Sequence, residues 1–494
     1  MKVAILLTME PAAGGGFQYE LKIAALLAQA TAAQWQVQLF CLNPALLEPY
    51  ARHGLKLHLL PTDGFERELV QSFQTDLLYF LSPSPLCLQL QQLPYVLTVW
   101  DLCHRDYPEF PEVRTDGEFA RREQFYAGPA LSQAVAVIVD SDHSAAQLHR
   151  RYGLDRARIR VLPFLPRLDT FDSETVDIRK QFGIKADYVF YPAQFWAHKN
   201  HVYIIAALAL LKDAHGVRLD AVFCGKDYGN LSHVLQLAQQ LGIAEQIHYL
   251  GFADDALIPS LYRQSRALVM PTYFGPTNIP PLEAFHYGVP VCYPDLPGLR
   301  DQVVEAAYLM DLARPDSLVQ HLLSILQDPA TVQQKIAEGK ARLAGWTDAD
   351  FAAGIGAAFD DFAAKRRCWG STHWTAPIAP VPPPPDFAAK FYAVSRLVRS
   401  WPADCRVALY GAGTVGDIVL ALAGAQICAV VDQSSDRRQR RAEDAAGTVY
   451  APELLSALEF DLVLISVLGR EAQISAYLSD KLGIAPEKIQ TLSC

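Results

Sequence analysis

Short apolar runs alternate with longer amphipathic stretches through the first 165 residues. The runs at 3–7, 37–42, 77–81, 96–99 and 136–139 have the length of buried strands, and a helix is expected over 17–29. This alternation predicts a parallel sheet with helices on both faces, whose ligands sit at the C-terminal ends of the strands. The pattern resumes with strands expected over 188–191, 221–224, 247–250, 267–270, 289–292 and 308–310, a long apolar helix over 202–212 and an Ala-rich helix over 348–365. A third strand–helix–strand pattern, 405–410 to 429–431, follows a Pro-rich spacer, TAPIAPVPPPPD at 375–386, that would be stiff and extended.

At 494 residues the chain is too long for one core. The boundaries expected are an α/β domain over 1–165, a second over 166–345 with a hinge near 166–174, a linker at 367–386 and a Rossmann-like domain over 387–494. Hydrophobic residues make up 51% and charged residues 19%, the balance of an ordinary soluble globular protein. A formal net charge of −10 argues against nucleic acid as a main partner. The nine cysteines include no CxxC pair, which fits reduced thiols in a cytoplasm better than a disulfide framework, and no metal site is expected. The N-terminal MKVAILLTMEPAAGGG reads as a first strand and Gly-rich loop, since a signal peptide would continue its apolar core where the glycines stand. No apolar run approaches the roughly 18 to 20 residues of a membrane span. Contact with the inner membrane face is left open, and nothing sets an oligomeric state.

The chemistry concentrates in residues 270–300, MPTYFGPTNIPPLEAFHYGVPVCYPDLPGLR. A loop over 273–279 leads into a helix opened by Pro280-Pro281, with Glu283 expected in its first turn. Such a helix start suits an anionic or polyhydroxylated ligand, and the carboxylate can accept from two neighbouring hydroxyls, as on a ribose. The bland alternative is an ordinary acidic residue at a helix start. Lys199, followed by Asn200 as an expected cap, sits where a strand gives way to a helix, a place unfavourable for a cation unless an anion is near. Gly14-Gly15-Gly16 after the first strand would let backbone approach a phosphate or sugar, or serve as a plain turn. In the third domain Gly411, Gly413 and Gly416 form a GxGxxG with Asp432 at the following strand end, the order of a dinucleotide-binding unit. Arg437, Arg438, Arg440 and Arg441 either meet a 2′-phosphate or form an exposed basic face.

Ile279-Pro280-Pro281-Leu282-Glu283-Ala284 and Gly288-Val289-Pro290-Val291 resemble the donor-site signature of the family 4 (group 1) retaining glycosyltransferases. The resemblance covers residues 1 to about 366 and implies a GT-B fold, two Rossmann-like domains facing across a cleft, with the helix 346–366 packing back on the first. It implies transfer of a sugar from a nucleoside diphosphate sugar to a glycan or lipid-linked acceptor with retention of configuration, in cell-surface polysaccharide synthesis, with no cofactor required. By it, Glu283 binds the ribose, the loop amides around Asn278 and Ile279 meet phosphate and sugar, Asn278 or Thr277 can serve where relatives use the first Glu, and Lys199 neutralises the leaving diphosphate. Gly15 and Gly16 line the cleft, and Lys226, Gly251 and Phe252 surround the base. Val99-Trp100-Asp101-Leu102-Cys103-His104 resembles the family's His-Asp-Leu-x-x-His segment, leaving Asp101 and His104 as candidates. Three positions depart from the family: Gly275 replaces the first Glu, Trp100 the first His and Gln194 the Arg. These departures motivate the rival expectation, a non-catalytic nucleotide-sugar-binding or scaffold protein. The third domain resembles small Rossmann-like domains attached to sugar-modifying enzymes, which implies NAD(P) or a nucleotide sugar as its ligand.

Overall fold

The computed structural model describes residues 1–29, 35–168, 176–275, 277–370, 387–434, 448–467 and 469–492. The Pro-rich spacer and the four arginines of 437–441 lie outside these residues. The chain forms two compact units, 1–374 and 375–494.

The first unit contains two parallel sheets. Strands β1–β7 (Lys2–Leu6, Gln36–Cys41, His58–Leu59, Leu77–Phe80, Tyr95–Thr98, Ala136–Val139, Ile159–Val161) order as β3-β2-β1-β4-β5-β6-β7. Strands β8–β13 (Tyr188–Pro192, Asp220–Cys224, Ile247–Tyr249, Ala267–Val269, Val291–Pro294, Ala307–Met310) order as β10-β9-β8-β11-β12-β13. Central strands such as Leu77–Phe80 and Ala136–Val139 are buried along their whole length. That burial on both faces is why they read as unbroken apolar runs. Strand β12 begins two residues later than expected because Gly288, at φ 68, ends the preceding helix and the Val289 amide still donates to Ala284 O at 2.9 Å.

The helix Asp348–Arg366 packs on the first sheet through Phe351, Ile355, Phe359 and Phe362, with the Phe359 ring edge-on to Trp35 at 5.4 Å. Thr347 and Asp350 close a capping box at its start, and Trp346 Nε1 donates to Pro163 O at 2.9 Å.

The second unit holds strands β14–β18 (Val407–Tyr410, Ile427–Val431, Val449–Tyr450, Leu462–Ile465, Ile489–Thr491), all parallel in the order β16-β15-β14-β17-β18. A helix over Phe387–Ser400, not expected from the sequence, contributes Val394 and Val398 to its core beside Trp401. Among the described residues no helix is long and apolar enough to cross a membrane.

Candidate active site

The C-terminal ends of β1, β5, β8, β9 and β11 converge on one cavity of about 990 Å³ in the first unit. Gly14, Gly15, Gly16, Trp100, Asp101, Glu112 and Arg122 line it from the side of the first sheet. Gln194, Lys199, Gly225, Phe252, Thr277, Ile279 and Glu283 line it from the side of the second. Contacts cross it, among them Gln194 Nε2 donating to Ala12 O at 3.2 Å, the His198 amide to Glu112 Oε1 at 2.8 Å, and Gln18 Nε2 to Asp255 Oδ2 at 3.3 Å.

Lys199 ends a short 3-10 turn, Ala197–Lys199, whose carbonyl accepts from Tyr191 Oη at 3.1 Å. Its ammonium has no hydrogen-bond partner among the described residues. Burial lowers it from the usual 10.5 to about 8 despite the nearby negative charge of Asp101 and Glu112. A partly buried cation left unpaired at the wall of a cavity is a candidate site for an anion.

Glu283 lies in the second turn of the helix Ile279–Tyr287, not the first, and accepts from Tyr262 Oη at 2.8 Å. Burial raises its carboxyl to about 7, with the Tyr262 hydrogen bond working the other way. The helix start offers fewer donors than expected. Pro280 and Pro281 have no N–H, and the Asn278 amide already donates to Gln302 Oε1 at 2.9 Å. The Asn278 side chain is likewise engaged, donating to Gly275 O at 2.8 Å and Tyr293 Oη at 2.6 Å. Asn278 therefore shapes the loop, and Ile279 is left as the amide at the helix start. Thr277 also lines the cavity.

Asp101 pairs with Arg122 at 2.6 Å and caps the Cys103 amide at 3.0 Å. Burial pushes its carboxyl up, but Arg122 outweighs that and holds it below the ordinary value. His104 does not line the cavity. The turn Cys103–Asp106 carries its ring under the first-sheet helices, fully buried, with Nε2 2.7 Å from Glu123 Oε1 and the ring stacked on Tyr126. Asn200 also departs from expectation: its backbone is left-handed at φ 56, its side chain makes no capping bond, and it does not line the cavity.

Gly15 and Gly16 open the helix Gly15–Gln29 at the cavity wall. A Cβ on Gly16 would stand 2.9 Å from the Trp100 ring. Trp100 turns only carbon toward this wall, since its Nε1 donates to Leu81 O at 3.1 Å. Lys226 is exposed above the Tyr228 ring, and Gly251 serves the backbone through its carbonyl, which accepts from Gly225 N at 2.8 Å; neither lines the cavity. Phe252 does, with 59% of its surface exposed. Among the described residues no cluster of three or more His, Cys, Asp or Glu is arranged to hold a metal ion.

In the second unit a Cβ on Gly411 would meet Ser466 Oγ at 2.7 Å and one on Gly416 would meet Gly411 O at 2.2 Å, so both glycines serve the packing of helix on strand. Gly413 is the N-cap of the helix Thr414–Ala423. The Asp432 carboxylate accepts from the amides of Ala412 and Ser434, each at 2.8 Å. Each Asp432 oxygen takes one backbone amide, which fixes the carboxylate at the end of its strand.

Sequence reasoning missed Glu112, Tyr262 and Arg122. Each reaches the site from a segment without a motif, Glu112 from a four-residue helical turn, Pro111–Arg114.

Residues 174–342 match the family model for glycosyl transferases group 1, and residues 403–490 match one described as C2185-like, N-terminal. The chain is similar to the O-antigen chain mannosyltransferase B of Escherichia coli, 24% identical over 220 residues that make up 43% of this chain and 57% of that protein. It is 26% identical over 257 residues to the D-inositol 3-phosphate glycosyltransferase of Salinispora arenicola, 48% of this chain and 54% of that one. The chain spans about half the length of the curated relatives it matches. Among solved structures, Anabaena Alr3699/HepE in complex with UDP superposes with a TM-score of 0.59 at 15% identity, covering 73% of this chain and all of that one. The first unit therefore has the GT-B fold.

Proposed function

We propose that this chain is a hexosyltransferase that moves a sugar from a nucleoside diphosphate sugar to a glycan or glycolipid acceptor with retention of configuration, in cell-surface polysaccharide synthesis. The observation that carries this reading is Lys199, a partly buried ammonium without a hydrogen-bond partner among the described residues, at the wall of the cavity that Glu283 also lines. The relatives, a mannosyltransferase and glycosyltransferases by name, support the reaction class.

In this reading the diphosphate lies against Lys199 and the ribose hydroxyls donate to Glu283. Negative charge grows on the leaving diphosphate as the glycosidic bond breaks, and Lys199, together with the amide of Ile279, stabilises it. A positive group placed where charge develops lowers the barrier without itself exchanging a proton. The acceptor reaches the sugar from the side of Trp100 and Asp101. The second unit takes no part in the step.

The test is thermal shift and calorimetry of the full chain with UDP, GDP, ADP and CMP, followed by hydrolysis of the sugar conjugate of whichever binds. Binding of one nucleotide with slow hydrolysis of its conjugate is expected. Absence of binding by all four overturns the reading in favour of a scaffold protein.

A further inference from the structure

The segment 107–117 leaves the side of the first sheet and packs across the cavity. Tyr107, Phe110 and Val113 lie on Tyr273 and Phe274, with the Phe110 ring 5.3 Å from Tyr273 and 5.4 Å from Phe274. This contact fixes Glu112 at the loop that carries Lys199. Its side chain is 10% exposed, and its Oε1 accepts from both the His198 amide, at 2.8 Å, and His198 Nδ1. His198 is fixed in turn by stacking on Phe274 at 4.1 Å, and its carbonyl accepts from Tyr273 N at 3.0 Å. With Oε1 occupied twice and the carboxylate otherwise meeting only its own backbone amide, Oε2 takes no hydrogen bond from another of the described residues, while Glu112 lines the cavity.

The donor loop cannot supply an acid of its own at the neighbouring position. Gly275 has φ 91, a conformation that side-chain-bearing residues rarely adopt, and a Cβ there would stand 2.9 Å from Asn278 Oδ1. A half-satisfied carboxylate beside a cation, in a cavity built for a phosphorylated ligand, is complemented by hydroxyl donors. We infer that Glu112, reaching over from the first half, accepts through Oε2 from a hydroxyl of the transferred sugar and so determines which hexose the donor site accepts. The inference rests on the glycosyltransferase reading above and names the residue that contacts the sugar within it.

His198 orients this acceptor. It accounts for Oε1 through its amide and Nδ1, and burial keeps its own ring neutral, lowered to about 4. The hydrogen bonds that Glu112 receives outweigh its burial and hold its carboxyl below the ordinary value, so it is an acceptor throughout the neutral range.

The experiment is calorimetry on the full chain with nucleotides and their sugar conjugates, such as UDP and UDP-glucose or GDP and GDP-mannose, for the wild type, Glu112→Gln and His198→Phe. Glu112→Gln is expected to bind the nucleoside diphosphate as the wild type does and the sugar conjugate about 10- to 100-fold more weakly. His198→Phe keeps the stacked ring and the backbone donor, so an intermediate loss confined to the conjugate is expected. Equal weakening of nucleotide and conjugate makes Glu112 a structural latch between the halves and overturns the inference alone. So does unchanged affinity for the conjugate, or a loss seen only in the acceptor KM. The conjugates used are those of whichever nucleotide the wild type binds among UDP, GDP, ADP and CMP, and failure to bind any of the four overturns the glycosyltransferase reading and this inference with it.

Discussion

Replacing Lys199 with Met separates the function of its charge from the packing of its stem. Lowering the ammonium from its usual 10.5 to about 8 corresponds to about 3 kcal/mol of unfavourable folding free energy in the absence of an anion. Below pH 8 the group is charged in folded and unfolded chains alike, so the cost is fully present at pH 7. Between pH 8 and 10.5 the folded chain gives up its proton first, the unfolded chain binds more protons, and stability recovers as pH rises. Methionine keeps an unbranched apolar stem and removes the charge. Lys199→Met without nucleotide is therefore expected to be more stable than the wild type at pH 7 by about 1–3 kcal/mol, a rise of about 1–4 °C in melting temperature for a unit of this size.

The same substitution is expected to lower turnover by about 100-fold or more, the usual cost of removing a group that stabilises developing charge. Thermal unfolding at pH 7 and at pH 10 reads the first effect, and the advantage of the variant should shrink at the higher pH. Donor hydrolysis or transfer reads the second. A variant less stable than the wild type at pH 7 would show that the ammonium is satisfied in the unliganded chain. Undiminished transfer would remove Lys199 from the mechanism.

The kcat/KM profile is expected to be a narrow bell, because Glu283 must be ionised, above about 7, while Lys199 must be charged, below about 8. Tyr262→Phe deletes the hydrogen bond that favours the carboxylate, so the acid limb should move up in pH. An acid limb that stays in place would detach it from Glu283. His104→Gln is expected to lower stability by about 1 kcal/mol or more through its contacts with Glu123 and Tyr126, leaving donor KM unchanged; a raised donor KM would return His104 to the site. A chain ending at residue 370 is expected to fold and retain transfer, since 1–374 forms its own compact unit; loss of turnover at full thermal stability would give the second unit a catalytic part.

How much of this was legible depends on what positions each residue. Buried strands such as Leu77–Phe80 announce themselves because both of their faces are covered. The edge strand His58–Leu59 is two residues long and partly exposed, and leaves no pattern. Lys199 and Glu283 could be found because strand ends and the following helix place them, and local order carries that information. His104 sits at a comparable place, yet its ring direction is set by Glu123 and Tyr126, 19 and 22 residues on. Asn278 illustrates the same limit. Its amide and side chain look available in a Pro- and Gly-rich loop, but Gln302 and Tyr293, brought near by the next strand and helix, take both.

Two of the positions where the chain departs from the pattern it resembles also tie the two halves together. Gln194, where a cation is expected, donates to the carbonyl of Ala12 across the cavity. Gly275, where an acid is expected, has the φ of a tight turn, and its amide points at Cys103 Sγ of the other half, at 3.4 Å. The charges missing from the donor loops reappear opposite them, as Glu112 on His198 and as the Asp101–Arg122 pair. A carboxylate that comes from the far wall is in place only while the segment 107–117 packs on Tyr273 and Phe274. The aromatic contact between the halves is therefore also what delivers the acid to the polar site.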